Sequence, residues 1–406
     1  MTPKGWEAIK LNDVCDKVTS GSRNWAQYYS EEGSKFIRMT NLQRNSIYLD
    51  LSDLKFVDIQ DDSSDGKRTS LKAGDILMSI TAELGKIGWV HEGLGESFIN
   101  QHTALIRLKE NKAYSKYIAY LLSSKEMNHR INRLNDSGAK AGLNLTTIRS
   151  IPLTIAPVSE QQKIAKILST WDKAISTTER LIDNSTQQKK ALMQQLLTGK
   201  KRLLNEAGKR FEGEWEEINI GSTSKCFSGG TPSRTKDEYY NGNIPWITSG
   251  KLNDRYVDSV NEYITELGLQ NSSAKIVKNG TILVAMYGAT AGKVALNMLD
   301  GATVNQAVLA LEPKEKFHNL FLFYLLEVEM LKALLLVQGG QPNLSATIIK
   351  AIKIKVPALL EQQKIATVLT NADKEIELLE QQLADLQQEK KALMQVLLTG
   401  KKRVLV

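Results

Sequence analysis

The sequence predicts a mixed α/β (α+β) fold: two pseudo-twofold-related variable domains separated by two long antiparallel coiled-coil helices. Three observations predict it. The chain repeats itself at an offset of 201 residues, the repeated segments carry a heptad seam, and the remainder shows short apolar runs bounded by Gly and Asn turns.

The repeat comes first because it organises everything else. Glu160-Gln161-Gln162-Lys163-Ile164-Ala165 recurs as Glu361-Gln362-Gln363-Lys364-Ile365-Ala366, and Lys189-Lys190-Ala191-Leu192-Met193-Gln194 recurs as Lys390-Lys391-Ala392-Leu393-Met394-Gln395. Without a gap, 160–202 matches 361–403 at 25 of 43 positions. Ahead of these segments the similarity is fainter: Gly85-Lys86-Ile87 answers Gly292-Lys293-Val294, Asn100-Gln101 answers Asn305-Gln306, and Tyr120-Leu121-Leu122 answers Tyr324-Leu325-Leu326. Each half is therefore a variable domain followed by a nearly constant segment, one scaffold carrying two different readings. The boundaries are 1–157 for the first variable domain, 158–199 for its helix, 200–213 for a polar linker, 214–357 for the second variable domain, 358–400 for its helix and 401–406 for a basic and apolar tail.

The constant segments read as long helices. Ile365, Leu369, Ala372, Ile376, Leu379, Leu383, Leu386, Lys390, Leu393 and Leu397 alternate steps of four and three, which keeps one stripe facing a partner helix. The first segment keeps the seam with more polar residues, among them Thr178, Ser185 and Lys189. Pro157 and Pro357 precede the starts, and Gly199 and Gly400 supply left-handed stops. At a rise of ~1.5 Å per residue each helix is about 57 Å long. Parallel pairing would oblige a linker of about 15 residues, reaching about 50–54 Å at most, to carry the chain back along that length. Antiparallel pairing needs no such return and makes the molecule resemble an isologous dimer fused into one chain.

Within the variable domains, 35–39, 75–80, 104–108, 281–286 and 307–311 read as strands, and 114–123 and 320–336 as helices.

Composition bounds the function. The 406 residues, 42% hydrophobic and 24% charged, describe an ordered globular protein of two or three domains. Only Cys15 and Cys226 are present, too few for a disulfide framework or a cysteine zinc site, so a reducing, cytoplasmic setting is expected. No apolar run is long enough to cross a membrane. The net charge of +8 lies entirely in the first half, the segments 204–357 and 358–406 each being neutral. Phosphate neutralisation supplies most nonspecific affinity for nucleic acid. Any polyanionic partner is therefore expected to be held weakly by the isolated chain, with strong salt dependence.

Catalytic patterns fail on spacing. The loop Gly288-Ala289-Thr290-Ala291-Gly292-Lys293-Val294 has three residues between its glycines where a phosphate loop has four, and Val294 where a magnesium-binding Ser or Thr belongs. It reads as a turn between strands. Gly93-Leu94-Gly95 lacks a dinucleotide fingerprint's third glycine. His91, His102, His129 and His318 stand apart from one another, and Ser79 and Ser249 lack a nucleophile elbow.

Two variable domains, each followed by a constant helix that opens on Glu-Gln-Gln-Lys-Ile-Ala and closes on Leu-Leu-Thr-Gly-Lys-Lys-Arg, resemble the specificity (S) subunit of type I restriction-modification enzymes. The resemblance covers nearly the whole chain. It extends to Gly229-Gly230-Thr231-Pro232-Ser233 and Asn243-Ile244-Pro245-Trp246, whereas the first domain has Ser20-Gly21-Ser22-Arg23 at the corresponding opening. It implies a non-catalytic DNA reader whose two target recognition domains each read one half of a split, asymmetric site. The helix pair would act as spacer and as the docking surface for two methyltransferase (M) subunits, with restriction (R) subunits joining through the complex. No cofactor is expected in this chain; S-adenosylmethionine, ATP and magnesium would belong to the partner subunits.

Arg suits guanine and Asn or Gln suits adenine in the major groove, so such residues in turn-rich loops are the candidates for contact with double-stranded DNA. In the first domain these are Ser22, Arg23, Asn24, Arg38, Thr40, Asn41, Lys86 and Asn144; in the second, Thr231, Ser233, Arg234, Thr248, Lys251, Tyr287, Thr290, Lys293 and Asn343. For each, a solvated or turn-stabilising role is the plain alternative. Asn100-Gln101 and Asn305-Gln306 are common to both halves and so are assigned to holding the fold. Val368, Leu378 and Val396 lie off the helical seam and are the candidates for M-subunit docking. The competing reading is a structural or interaction protein, a fused pseudo-dimeric coiled-coil adaptor binding protein or glycan.

Overall fold

The computed structural model describes residues 2–21, 25–59, 64–109, 111–134, 142–336 and 343–405. The chain divides into two compact units, the first Met1–Arg180 with Glu380–Val406, the second Leu181–Leu379. The division falls inside the long helices, because each unit contains the opening turns of one helix and the closing turns of the other.

The two units share the central strands of each sheet and differ at the sheet edges. In the first, Glu7–Lys10 pairs antiparallel with Pro152–Ile155, tying the domain's entry to its exit. A four-stranded antiparallel sheet runs in the order Cys15–Ser20, Thr103–Leu108, Ile76–Ser79, Ile87–Trp89, and a second sheet in the order Tyr29–Ser30, Lys55–Val57, Ser34–Ile37, Ser97–Ile99. In the second unit Glu216–Asn219 pairs with Lys353–Val356 in the same way. Its sheets run Ser224–Ser228, Val308–Pro313, Ile282–Ala285, Val294–Asn297, Tyr256–Val257 and Tyr263–Ile264, Tyr240–Ile247, Ala302–Val304, Lys275–Val277.

The central strands are continuous apolar runs because both faces are covered. In the first unit Ile76 and Met78 join one core while Leu77 joins another; in the second, Ile282 and Val284 face one core and Leu283 and Ala285 the other. Alternate side chains of a strand point to opposite faces, so one strand serves two cores. All five expected strands form, each with an end displaced by a residue or two. The run 35–39 ends early as Ser34–Ile37, since Met39–Asn41 turns into a 3-10 helix.

The repeated segments form helices Val158–Leu196 and Leu359–Leu397, 39 residues each. Gly199 and Gly400 adopt φ of +71° and +69°, and Lys201 N–H and Lys402 N–H close back onto the carbonyls of Gln195 and Val396. That is the left-handed stop expected of these glycines. Pairing within each unit is antiparallel. Glu160 and Asp172 meet Arg403 and Lys390 in the first unit, and Lys189 and Arg202 meet Asp373 and Glu361 in the second.

Candidate nucleic-acid interface

The constant residues form a keyed joint that occurs once in each unit. In the first, Arg403 Nε and Nη2 donate to the two carboxylate oxygens of Glu160, each at 2.7 Å, while Nη1 donates to the Lys4 carbonyl. In the second, Arg202 donates to both oxygens of Glu361 at 2.6 and 2.7 Å and to the Gly213 carbonyl. Each guanidinium also lies 5.9 Å over a tryptophan ring, Trp6 or Trp215. Gln161 and Gln362, both buried, each accept a backbone N–H from the variable domain and donate to a carbonyl just before the helix. Tyr120 and Tyr324 donate to Asp172 and Asp373, which are paired with Lys390 and Lys189. These contacts explain why the motifs recur: each is half of a joint made twice.

Electrostatics at the joint follow from the same partners. Hydrogen bonds from Arg403, and then from Trp6, hold Glu160 below the usual carboxylate range against the opposing effect of burial. Burial alone would raise Asp373, but hydrogen bonds from Lys189, Tyr324 and Arg255 outweigh it and hold the carboxyl low.

The variable domains differ at equivalent scaffold positions. After Phe36-Ile37 the first domain has Arg38 and, three residues on, Asn41; after Trp246-Ile247 the second has Thr248 and Lys251. In both, the N–H of the third residue bonds back to the carbonyl of the first, forming the same 3-10 turn. Arg38 donates to the Asp53 carboxylate and carbonyl, both at 2.8 Å. Asn41 is a correction to the expectation of an exposed loop residue: at 2% exposed it is buried, donating to the Asp50 carbonyl and accepting Arg38 N–H, so it holds the loop. Thr40 is exposed on the same turn. Lys86, largely covered, pairs with Glu83 on the hairpin, and Asn144 caps the helix Leu145–Arg149 through Thr147 N–H. The cap is the counterpart of Ser345 in the second unit, which makes it a scaffold feature. Ser22, Arg23 and Asn24 lie outside the described residues.

In the second unit two candidates, Thr248 and Lys251, line one open cleft of about 460 Å³ together with Trp246, Asn253, Asn261 and Glu262. Lys251 pairs with Asp254 at 2.7 Å, and Arg234, outside the lining, pairs with Glu262. Thr231 hydrogen-bonds Gln306, and Ser233 hydrogen-bonds Thr235. Tyr287 and Asn343 are brought together by a β-bridge, and Lys293 is exposed on the neighbouring hairpin. Thr290 is a second correction: only 8% exposed, it packs into that hairpin. The sequence did not single out Glu262, which lies 28 residues from Arg234 with no local pattern to join them.

The repeated Asn residues act as expected of fold-holding groups. Asn100 Oδ1 accepts His102 N–H and Asn305 Oδ1 accepts Ala307 N–H, both at 3.1 Å. The opening glycine is common too. A Cβ on Gly229 would lie 1.8 Å from the Val304 carbonyl oxygen, and one on Gly21 would lie 2.2 Å from the Asn100 backbone. Gly21 thus occupies the place of Gly229 in a loop that otherwise departs from Gly-Gly-Thr-Pro.

Of the three docking candidates, only Leu378 is free, at 71% exposed. Val368 and Val396 are each partly buried against the core of their own unit and partly exposed. Among the described residues no helix is long and apolar enough to cross a membrane, and no group of His, Cys, Asp and Glu is gathered to hold a metal ion. Burial pushes the Cys15 thiol up to about 12.

A duplicated α/β domain, keyed twice to a pair of long helices and varied in its loops, defines a modular recognition protein. A family model described as the type I restriction modification DNA specificity domain matches residues 3–184 and 212–388, and the chain belongs to that family. The type I restriction enzyme MjaVIII specificity subunit of Methanocaldococcus jannaschii is 27% identical over 436 residues, spanning 99% of this chain and 94% of its own. The EcoR124I/EcoR124II specificity subunit of Escherichia coli is 27% identical over 281 residues, spanning 65% and 64%. Among solved structures, the S subunit of a type I restriction-modification system from M. genitalium superposes with a TM-score of 0.60 at 15% identity, covering 98% of this chain and 99% of that one. HsdS from Thermoanaerobacter tengcongensis gives 0.52 at 16%, covering 99% and 98%. These structures are alike in fold.

Proposed function

We propose that this chain is the DNA target-recognition subunit of a type I restriction-modification complex, each variable domain reading one half of a split, asymmetric sequence in double-stranded DNA. The observation that carries the reading is the contrast within one scaffold. The helix joint is built twice from the same residues, while the 3-10 turn and its cap carry half-buried Arg38 and exposed Thr40 in one domain and half-buried Thr248 and Lys251 in the other. Two modules that share a frame and differ in the side chains of their loops suit two different half-sites, since base edges are told apart by side-chain type.

The chain is not itself an enzyme in this reading. Adenine methylation and ATP-driven cleavage belong to partner M and R subunits in the cytoplasm, which bind S-adenosylmethionine, ATP and magnesium. The long helices set the gap and carry M-subunit contacts, with exposed Leu378 on such a face. The adaptor alternative has no observation in its favour beyond the helix pair itself. Coproduction with the cognate M subunits, followed by long-read mapping of methylated adenine, is expected to return one motif in two parts with an unspecified gap. A continuous motif, or no methylation dependent on this chain, contradicts the proposal.

A further inference from the structure

Arg234 of the second unit is held from two directions. Its guanidinium lies over the Tyr240 ring at 4.6 Å from the centroid and near the Trp246 ring at 5.0 Å, and Nη1 donates to Glu262 Oε2 at 2.6 Å. The platform beneath is itself fixed: Trp246 Nε1 donates to the Gly230 carbonyl at 3.1 Å, and Tyr240 Oη donates to the Pro232 carbonyl. Stacking sets the plane of the guanidinium and the carboxylate sets its rotation in that plane. The pair nevertheless remains open, with side chains 55% and 39% exposed, and Arg234 has no second hydrogen-bond partner among the described residues.

Two kinds of DNA contact are available to such an arginine. A phosphate would bring an anion beside the Glu262 carboxylate, and the two would repel. A base edge is neutral and accepts the unused N–H groups without that penalty. In the major groove guanine offers O6 and N7 to arginine, and the paired cytosine offers an N4 amino group that a carboxylate accepts. Among the described residues the arrangement occurs in this unit alone, since the first unit has Phe36 in place of Trp246, packed by Trp25 and Tyr29. A feature confined to one reader belongs to what it reads.

We propose that Arg234 and Glu262 act together as a specificity-determining pair that reads one G·C base pair in the half-site of the second unit. This rests on the DNA-recognition reading above. Because exposed ion pairs are weak, DNA can recruit both groups at little cost.

The test uses the chain coproduced with its M subunits and maps methylated adenine for the wild type, Arg234→Lys and Glu262→Gln. Lysine keeps the charge but not the planar fork. Arg234→Lys is expected to lose at least about fivefold preference at one G·C position in one half of the motif, with the other half unchanged. Glu262→Gln is expected to relax that same position, and melting temperatures should match the wild type. An unchanged motif overturns the pair. So does a loss of binding spread over all sequences with a salt slope reduced by about one, the mark of a phosphate contact, or a uniform loss that tracks a lowered melting temperature. A wild type with no split motif would instead overturn the recognition reading on which the pair depends.

Discussion

Arg403, just past the end of the second long helix, grips Glu160, near the start of the first, through two parallel hydrogen bonds of 2.7 Å. Glu160 is 2% exposed in its side chain and Arg403 is 43% exposed. Losing one partner of such a pair therefore has unequal consequences. Arg403→Ala leaves a buried carboxylate with Trp6 Nε1 and the Val404 backbone N–H donating to it but without its countercharge, whereas Glu160→Gln leaves an arginine that water can satisfy. Thermal unfolding should show the larger drop for Arg403→Ala, by several degrees.

Acid sensitivity follows from the same joints. Glu160 and Asp373 both have carboxyls held below the usual range in the folded chain. A depressed folded value means the stabilisation is fully present above the unfolded value of ~4 and disappears as pH falls through the folded one. Stability should hold between pH 7 and about 5 and fall steeply below about 4. Denaturation of Asp373→Asn across this range should show a shallower acid limb, and an unchanged limb would remove Asp373 from the account.

The second unit adds a charge cluster where the first is apolar. Arg255 is bound to Glu327 by two hydrogen bonds of 2.6 and 2.8 Å and to Asp373 by one of 2.7 Å, beneath the rings of Phe323 and Tyr324. Its backbone carbonyl accepts the Leu296 N–H just as that of Ile47 accepts the Trp89 N–H in the first unit, and Ser123 stands where the second unit has Glu327. Arg255→Ile alone leaves Glu327 unpaired and is expected to cost about 3 kcal/mol. The double change Arg255→Ile with Glu327→Ser should recover most of that loss in chemical denaturation.

Gly229 offers a sharper steric test. With a Cβ 1.8 Å from the Val304 oxygen the backbone must move, so Gly229→Ala should cost about 1–3 kcal/mol. Gly250, with open space around it, should accept alanine within about 0.5 kcal/mol.

How much of this was legible in the sequence depends on how far apart the cooperating residues lie. The long helices were readable because seam, stops and repeat are local signals, and Gly199 and Gly400 end them as expected. The reason for the repeat was not readable, because Glu160 finds its partner 243 residues away. Candidates chosen by residue type divided according to burial: Asn41 and Thr290 turned inward to satisfy loop backbone and hairpin packing, while Thr248 and Lys251 converged on one cleft and Arg234 pairs with Glu262 of its lining. Type and turn propensity mark a loop, but only the register of distant strands says which way each side chain points.

The central claim is that two interchangeable modules read two halves of one target from a common scaffold. Replacing residues 1–157 with a second copy of 214–357, coproducing the chain with its M subunits and mapping methylated adenine tests it directly. The account predicts a new motif carrying the second unit's half-sequence in both parts, with the first unit's half-sequence gone. Retention of the original asymmetric motif by the properly folded chimaera would contradict it.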